Sequence, residues 1–156
     1  MPFTDTKRLA SECGIKMQSA HTHEISSVFM YDMMKAYGGV EKFYTRFYIN
    51  SPFPLAIIRE TKNGQWLNAN YYDDIELFKS VKPFLLASLK NYISMGIDRS
   101  EVFVLGKRNM EFIRRINDEH RLFSILTVLE HPRYIQQYKS KDRAIYIEKY
   151  IRTLNR

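Results

Sequence analysis

The chain has 156 residues, 45% of them apolar and 26% charged, and this balance is typical of one ordinary globular domain. Its net charge of +7 favours a polyanionic partner, with nucleic acid ahead of an anionic membrane, although a basic surface without such a role fits as well. The single cysteine excludes an internal disulfide, and no apolar run approaches the ~18 residues of a transmembrane helix. No charged-then-apolar leader opens the chain, so we expect a cytoplasmic protein without a membrane partner.

The first predicted element is a short helix behind a loop-like start. Thr4 or Asp5 can cap this helix, which runs through Glu12 and stops at Gly14. A short side-chain oxygen at the cap accepts a hydrogen bond from a free backbone N–H group of the first turn. Glycine readily adopts the left-handed backbone that ends a helix.

A histidine pair follows this helix. His21 and His23 have an H-x-H spacing that can bind metal, but no cysteine or carboxylate cluster lies near them at ligand spacing. We therefore expect a solvated loop at this point. No other cluster of side chains indicates a metal or an organic cofactor, so the sequence predicts that the protein uses none.

The next stretch predicts a helix, a further turn and a strand. Ser26 or Ser27 caps a helix with a methionine and aromatic stripe, and a Gly-Gly pair ends it. Residues 40–45 add a turn or two. Residues 47–50 are the first strand candidate, because they are aromatic and β-branched and are followed by a Ser-Pro pair.

The middle of the chain predicts a turn and a long helix. Asn63 and Gly64 form a dipeptide that is a strong hairpin signal. Asp73 with Glu76 forms a variant of the capping box, which places the start of the helix there. Pro83 lies inside the helical period and indicates a kink or a restart, and the next glycine ends the helix.

The last third predicts two strands that alternate with helices. Residues 102–106 and 125–129 are short apolar runs, as expected of strands buried on both faces in a parallel sheet. A helix from about 108 to 118 connects them, and a final helix begins near Asp142. This final helix is expected to bury Ala144, Ile147, Ile151 and Leu154. The alternation predicts a single α/β domain over residues 1–156, with a parallel central sheet between two helical layers.

His131 holds the position where a functional histidine is expected. It follows the strand at 125–129, and ligands in open α/β sheets bind beyond the carboxyl ends of the strands. Pro132 ends the strand, because proline lacks a backbone donor and restricts the residue before it. A basic, aromatic and amide-rich loop is expected next. A histidine that only caps the strand end, with a solvated loop behind it, remains an alternative.

Four segments, taken in order and spacing, resemble uracil-DNA glycosylases of the single-strand-selective monofunctional type. They are Pro2-Phe3, the stretch Y-I-N-S-P-F-P-L from Tyr48 to Leu55, the strand that ends at Gly106, and Leu129-Glu130-His131-Pro132. The segment N-A-N-Y-Y-D-D and the tail H-P-R-Y-I-Q-Q-Y are most similar to a bacterial branch of that group. The resemblance covers nearly the whole chain and implies a three-layer α/β/α fold.

The resemblance also implies roles for individual residues. His131 would donate a hydrogen bond to the uracil O2 as negative charge moves onto the leaving base. Phe3 would stack on the flipped base, and Asn50, or Ser51 if the alignment slips by one, would contact the pyrimidine edge. The DNA contacts would come from Arg133, Tyr134, Gln136, Gln137, Lys139 and Lys141.

Plainer interpretations of these residues stay open. Phe3 could be a frayed terminal residue. Asn50 could cap a turn, as asparagine before Ser-Pro commonly does. Residues 133–141 could be a solvated lead-in to the last helix.

The resemblance has one large departure. Members of the group carry a Gly-x-Asn-Pro-Gly-like stretch before the Pro-Phe pair, and its polar residue positions or activates the attacking water. Here Met1 stands where that loop would be, so we expect an N-terminally truncated chain without the first strand of the sheet. Loss of the water-positioning group would weaken catalysis by roughly 10²–10⁴-fold.

The expected function is that of a DNA base-excision repair glycosylase. It would hydrolyse the N-glycosidic bond of uracil or a related damaged base, as a monomer acting on single-stranded or uracil-containing DNA. One alternative is a non-catalytic nucleic-acid-binding domain that keeps the fold and the basic loop. Another is an α/β domain whose basic surface has no nucleic-acid role.

Overall fold

The computed structural model describes residues 2–18 and 22–156, and these residues divide into two compact units. The first unit comprises Met1–Ile49 and Leu129–Arg156, and the second comprises Asn50–Val128. The expectation of a single domain over the whole chain stays a prediction.

Helices dominate the described residues. The helices are α1 (Thr6–Cys13), α2 (Ile25–Tyr37), α3 (Val40–Tyr44), α4 (Ile75–Ser94), α5 (Lys107–His120), α6 (Pro132–Tyr138) and α7 (Arg143–Leu154). The strands are β1 (Ile57–Glu60), β2 (Trp66–Ala69), β3 (Glu101–Leu105) and β4 (Ile125–Leu129). A 3-10 turn, Ser140–Asp142, leads into α7. None of the described helices is long and apolar enough to cross a membrane.

The caps of the first unit agree with the sequence at α1 and differ at α2. Asp5 caps α1 by accepting a hydrogen bond from the backbone N–H of Arg8 (2.8 Å), and Gly14 ends it with a left-handed φ of 68°. The prediction that Ser26 or Ser27 caps α2 is wrong, because both serines are buried inside its first turn. The Ser27 hydroxyl instead donates to the Asp5 carboxylate at 2.8 Å.

The strand predicted at residues 47–50 is wrong. The backbone N–H of Phe47 donates to the carbonyl of Phe43 (2.9 Å), so the chain continues the turn of α3 instead of extending. The rings of Phe43 and Phe47 lie 5.0 Å apart between centroids, and Tyr37 packs edge-on against both. Phe47, one of the aromatic residues that indicated a strand, is therefore part of an aromatic cluster at the end of α3.

Helix α2 forms the core of the first unit and packs against α1, α3, α6 and α7. Phe29 and the three methionines Met30, Met33 and Met34 on α2 are almost wholly buried. The face predicted for α7 is partly wrong, since Leu154 is buried as expected while Ile147 and Ile151 are only half-buried. Its buried residues are Tyr150, Thr153 and Leu154, whereas Ala144 is exposed.

The second unit contains a hairpin and the long helix α4. Strands β1 and β2 pair antiparallel around the predicted turn, where Gly64 has a left-handed φ of 73°. Helix α4 begins one residue later than predicted. Asp74 caps it by accepting from the Glu76 N–H (2.7 Å), while Asp73 accepts from the Asn70 N–H (2.7 Å). Pro83 lies inside one continuous helix, so the predicted restart does not occur.

Strands β3 and β4 form a small two-stranded parallel sheet, connected through α5. A core of α4, β3 and α5 side chains, including Phe78, Leu85, Val104 and Ile116, packs beside it. The predicted burial of β4 on both faces is wrong. Ile125 is 56% and Val128 39% exposed, because β4 has only β3 as a neighbour among the described residues.

Candidate active site

His131 caps the N-terminus of α6 directly after β4. Its backbone is extended (φ −65°, ψ 133°), Pro132 is buried at the first helical position, and the Arg133 backbone N–H donates to the His131 Nδ1 at 3.1 Å. Proline suits that position, since a backbone N–H there would have no intrahelical partner and proline has none to leave unpaired. Because Nδ1 accepts a hydrogen bond, the neutral imidazole carries its proton on Nε2.

Burial of the His131 ring lowers its pKa from the ordinary 6.5, and the nearby positive charge of Arg133 lowers it further. Both causes disfavour a charged ring. At neutral pH the side chain is therefore an uncharged imidazole with one N–H donor. Such a donor can stabilise developing negative charge without giving up its proton.

Phe3 lies against this imidazole. The two ring centroids are 5.4 Å apart and the planes meet at 67°, an edge-to-face contact. Phe3 has a left-handed φ of 57°, which is an outlier for a bulky residue and costs on the order of 1–3 kcal/mol. A strained backbone of this kind persists only where the surrounding contacts hold it in place.

The two residues after Phe3 supply those contacts. The Thr4 hydroxyl shares a hydrogen bond of 2.7 Å with the Tyr31 hydroxyl on α2. The Asp5 carboxylate, which is 4% exposed, accepts from the Glu24 N–H and the Ser27 hydroxyl, each at 2.8 Å. Burial alone would raise the pKa of Asp5, but hydrogen bonds from the Glu24 and Arg8 N–H groups and from Ser27, with the Arg8 charge, lower it to about 2.

A different set of contacts holds the backbone before His131. The Tyr150 hydroxyl on α7 donates to the Glu130 carbonyl, and Lys149 Nζ donates to the Glu130 carboxylate at 2.7 Å. Tyr150 is 1% exposed and packs edge-on against Phe29 of α2, with ring centroids 5.0 Å apart. Burial raises the pKa of Tyr150, so its hydroxyl remains a hydrogen-bond donor across the ordinary pH range.

Helix α2 therefore supports both parts of the candidate site. Tyr31 and Ser27 hold the segment that carries Phe3, and Phe29 supports Tyr150, which holds the carbonyl before His131. The two rings come from opposite ends of the chain. Both segments are fixed to α2, which is buried. This helix therefore sets the position of the Phe3 ring relative to the His131 ring.

The basic segment after His131 is a helix, so the predicted loop is wrong. Proline at its first position, the His131 cap and the fully buried Ile135 favour helical structure. Arg133, Tyr134, Gln137 and Lys141 are exposed, and Lys139 and Gln136 are half-buried. The buried Oε1 of Gln136 has no hydrogen-bond partner within the described residues.

Asn50 and Ser51 belong to the second unit. The Asn50 Oδ1 accepts from the backbone N–H of Ser51 (2.8 Å), and the Ser51 hydroxyl donates to the Phe53 carbonyl (2.7 Å). The Tyr92 hydroxyl donates to the Ser51 carbonyl at 3.2 Å. The Asn50 oxygen thus has the local turn contact that the plainer interpretation expects. A role at a pyrimidine edge stays a prediction for both residues.

Sequence reasoning missed the supporting role of Asp5, Tyr31 and Tyr150. Asp5 was recognised as a helix cap, but its bonds to α2 link residues 19 and 22 positions apart. Tyr31 was given no role, and Tyr150 was not among the residues that the final helix was expected to bury. The spacing of Asp5 and Arg8 is the one local signal of a buried, paired carboxylate, because they stand at positions i and i+3.

No group of three or more histidine, cysteine or carboxylate side chains that could hold a metal is present in residues 2–18 and 22–156. His21, one member of the H-x-H pair, lies outside the described residues. The Nδ1 of His23 lies 3.5 Å from the Asp5 carboxylate, so this histidine contacts the cap of α1.

A solved structure with the same fold gives the family. The chain is similar to SMUG2 of Pedobacter heparinus, with 42% sequence identity and a TM-score of 0.94 over 99% of this chain and 67% of that chain. The chain belongs to the SMUG-like group of the uracil-DNA glycosylase superfamily. The predicted resemblance and the α/β class with a small parallel sheet are confirmed for this SMUG-like chain.

Other comparisons give no further relative. No protein-family model matches the SMUG-like chain, and no curated protein matches it.

Proposed function

We propose that this SMUG-like chain is a DNA glycosylase that hydrolyses the N-glycosidic bond of uracil, or of a related damaged base, in DNA. The observation that carries the proposal is the contact between Phe3 and a half-buried, neutral His131. An aromatic face next to a fixed uncharged donor suits a displaced planar base whose oxygen becomes negative. The family of the chain gives the same class of reaction.

His131 and Phe3 each have one role in the cleavage of the N-glycosidic bond. The bond between C1′ of the sugar and N1 of the base breaks, and its electron pair leaves with the base. The Nε2–H of His131 donates to the base oxygen on which that charge accumulates, while Phe3 faces the ring of the displaced base. Water then adds to the oxocarbenium-like C1′ and loses its proton to solvent. A neutral donor suits this step, since the base can leave as an anion.

Substrate contacts beyond these two rings form the finer part of the proposal. Asn50 reads the pyrimidine edge through its amide, or Ser51 does so through its hydroxyl, because each of these groups both donates and accepts. Flipping the base out of the stack is the step that requires Phe3 and the α6 residues. Phosphate attraction comes from the α6 region through Arg133, Lys139 and Lys141. The protein acts as a cytoplasmic monomer, and its single cysteine supports the reducing compartment.

Uracil release from a single-stranded oligonucleotide with one uracil tests this function. We expect His131→Ala to lower the release rate by about 10²–10³-fold, as for other single donors to a developing anion. His120→Ala is the matched control, since this histidine lies at the end of α5. Release that is unchanged in His131→Ala would contradict the assignment. Salt-sensitive binding without release in the wild type would favour a non-catalytic nucleic-acid-binding domain.

The same uracil-release assay, carried out over a range of pH, tests whether the His131 imidazole is neutral. Protonation would turn the His131 Nδ1 into a donor that faces the Arg133 N–H, and would break the cap of α6. Burial lowers the pKa of His131 below the ordinary 6.5. We therefore expect full activity at pH 6.5 and a decline only at more acidic pH, where the imidazole takes up a proton. An acid limb at or above pH 6.5 would contradict a neutral His131.

A further inference from the structure

Tyr31 of α2 lies in the core of the first unit, and its hydroxyl contacts the segment that carries Phe3. The residue is 3% exposed. Its hydroxyl shares the 2.7 Å hydrogen bond with Thr4 Oγ1 and lies 3.7 Å from the Sγ of Cys13 at the end of α1. Two segments that are distant from Tyr31 in sequence therefore fix the position of this oxygen.

The hydroxyl is the part of Tyr31 that core packing does not explain. A phenylalanine ring would fill the same space without burying a polar group, as the fully buried Phe29 does two residues earlier. Burial raises the pKa of Tyr31 to about 12, so the hydroxyl keeps its proton across the ordinary pH range. Burial of a hydroxyl is unfavourable unless it is hydrogen-bonded, and the bond to Thr4 offsets this cost.

The bond to Thr4 acts directly beside a strained residue. Thr4 follows Phe3, so a fixed Thr4 side chain restricts the peptide group that joins the two residues. The left-handed φ of 57° disfavours the observed backbone of Phe3. One hydrogen bond shifts such an equilibrium by about 2- to 13-fold, which is enough to oppose the lower part of this strain. The position of the Phe3 ring should therefore depend on this bond, while the Asp5 contacts keep the segment attached to α2.

We propose that Tyr31 is a positioning residue for base excision, whose hydroxyl holds the Phe3 ring beside His131 through Thr4. The inference deepens the proposed function and rests on it for the reaction. Tyr31 acts through Phe3, and it neither contacts the displaced base nor takes part in bond cleavage. It sets the fraction of protein molecules in which the aromatic ring is already in place when a base arrives.

Single-turnover release of uracil from a single-stranded oligonucleotide, at increasing protein concentration, separates positioning from catalysis. Binding weakens in proportion to the fraction of protein in the binding-competent arrangement. We therefore expect Tyr31→Phe to raise the half-saturating protein concentration by about 2- to 13-fold, the range that corresponds to 0.5–1.5 kcal/mol for one hydrogen bond. The release rate at saturation should match the wild type, because His131 is unchanged. A lower rate at saturation with an unchanged half-saturating concentration would overturn the proposal.

Thr4 tests the same bond from its other side. Thr4→Val removes the hydroxyl and keeps the shape of the side chain, so it should match Tyr31→Phe, whereas Thr4→Ser should behave like the wild type. The double variant should lose no more than either single variant, since both remove one interaction. Tyr37→Phe is the matched control, because this buried tyrosine of α2 loses the bond that its hydroxyl accepts from Arg46 (3.1 Å). Equal losses in Tyr37→Phe and Tyr31→Phe would overturn the proposal.

A variant without the Phe3 ring distinguishes positioning from a general loss of folding. In a Phe3→Gly background, Tyr31→Phe should leave the half-saturating concentration unchanged, because no ring remains to be held. A further loss there would contradict the positioning role. Denaturant unfolding of each variant checks that the protein is folded under the assay conditions.

NMR of the His131 ring reports the same contact without catalysis. The ring current of Phe3 shifts the proton resonances of His131, since the two centroids lie 5.4 Å apart. Tyr31→Phe should move these resonances towards their positions in Phe3→Gly, and resonances equal to those of the wild type would overturn the proposal.

The kinetic and NMR measurements keep the two proposals distinguishable. Wild-type protein that releases no uracil, while Tyr31→Phe moves the His131 resonances as expected, would contradict the glycosylase function and retain the placement of Phe3 by Tyr31. Protein that releases uracil, while Tyr31→Phe matches the wild type in both measurements, would overturn the positioning role alone.

Discussion

The segments that carry Phe3 and His131 meet at one place, and aromatic packing contributes to the support of only the second. Phe3 has a strained, left-handed backbone that polar contacts of Thr4 and Asp5 hold against α2. His131 has an ordinary extended backbone, which Pro132 favours and which the buried Tyr150 fixes through the Glu130 carbonyl. The first segment depends on hydrogen bonds and on the Asp5 charge, whereas the second combines the polar contacts of Glu130 with the aromatic packing of Tyr150 on Phe29. The two should therefore respond to different perturbations.

The largest effect is expected from the packing of the His131 segment. Tyr150→Ala should lower the free energy of unfolding by about 3–5 kcal/mol, as for other large aromatic residues that leave a cavity. Tyr150→Phe keeps the contact with Phe29 and loses only the bond to the Glu130 carbonyl, at a cost of about 1–3 kcal/mol. Denaturant unfolding of both variants measures the difference. Equal losses would show that packing does not dominate here.

The second largest effect is expected from the charge of Asp5, which holds the Phe3 segment. Its contribution to the free energy of unfolding should depend on pH. The pKa of Asp5 falls from 3.8 to about 2 on folding, so about 2 kcal/mol of stability is present above pH 3.8. This stability is lost as pH falls through 2, where the folded-state carboxylate takes up its proton. Thermal unfolding from pH 5 to pH 2 should show this loss in the wild type.

Two variants serve as controls for the Asp5 prediction. Asp5→Asn removes the titrating group, so its stability should change less over the same pH range than that of the wild type. Glu148→Gln changes an exposed acid on α7, and it should retain the wild-type profile near pH 2. A wild-type profile that matches Asp5→Asn would contradict the role given to this carboxylate.

The strain at Phe3 should give the smallest effect. Both Phe3→Gly and Phe3→Ala remove the ring that faces His131, and both should lose uracil release to a similar extent. Glycine accepts the φ of 57° and alanine does not, so Phe3→Gly should be more stable than Phe3→Ala by about 1 kcal/mol. Equal unfolding free energies would mean that the segment relaxes when the ring is removed.

Several parts of the site could be predicted from local sequence. Pro132 after an apolar run placed the end of β4 and made His131 a terminal residue, because the restriction that proline imposes acts between neighbours. The α1 cap at Asp5 and the turn at Gly64 were predicted for the same reason. The helical state of the α6 segment was not predicted, because the segment is mostly polar and Ile135 is its one buried residue besides Pro132.

The amino-acid sequence by itself determined the family resemblance, through four short motifs in a fixed order that include Pro2-Phe3. It also determined that β4 ends just before His131 and Pro132, because proline restricts the residue that precedes it. Tertiary structure alone decided that Phe3 and His131 lie 5.4 Å apart, because 128 positions separate them and no local rule connects them. Their meeting depends on α2, which contacts both segments through side chains that look like ordinary core residues in the sequence. Burial and long-range hydrogen bonds are properties of the folded chain, so the neutral state of His131 and the low pKa of Asp5 follow only from the fold.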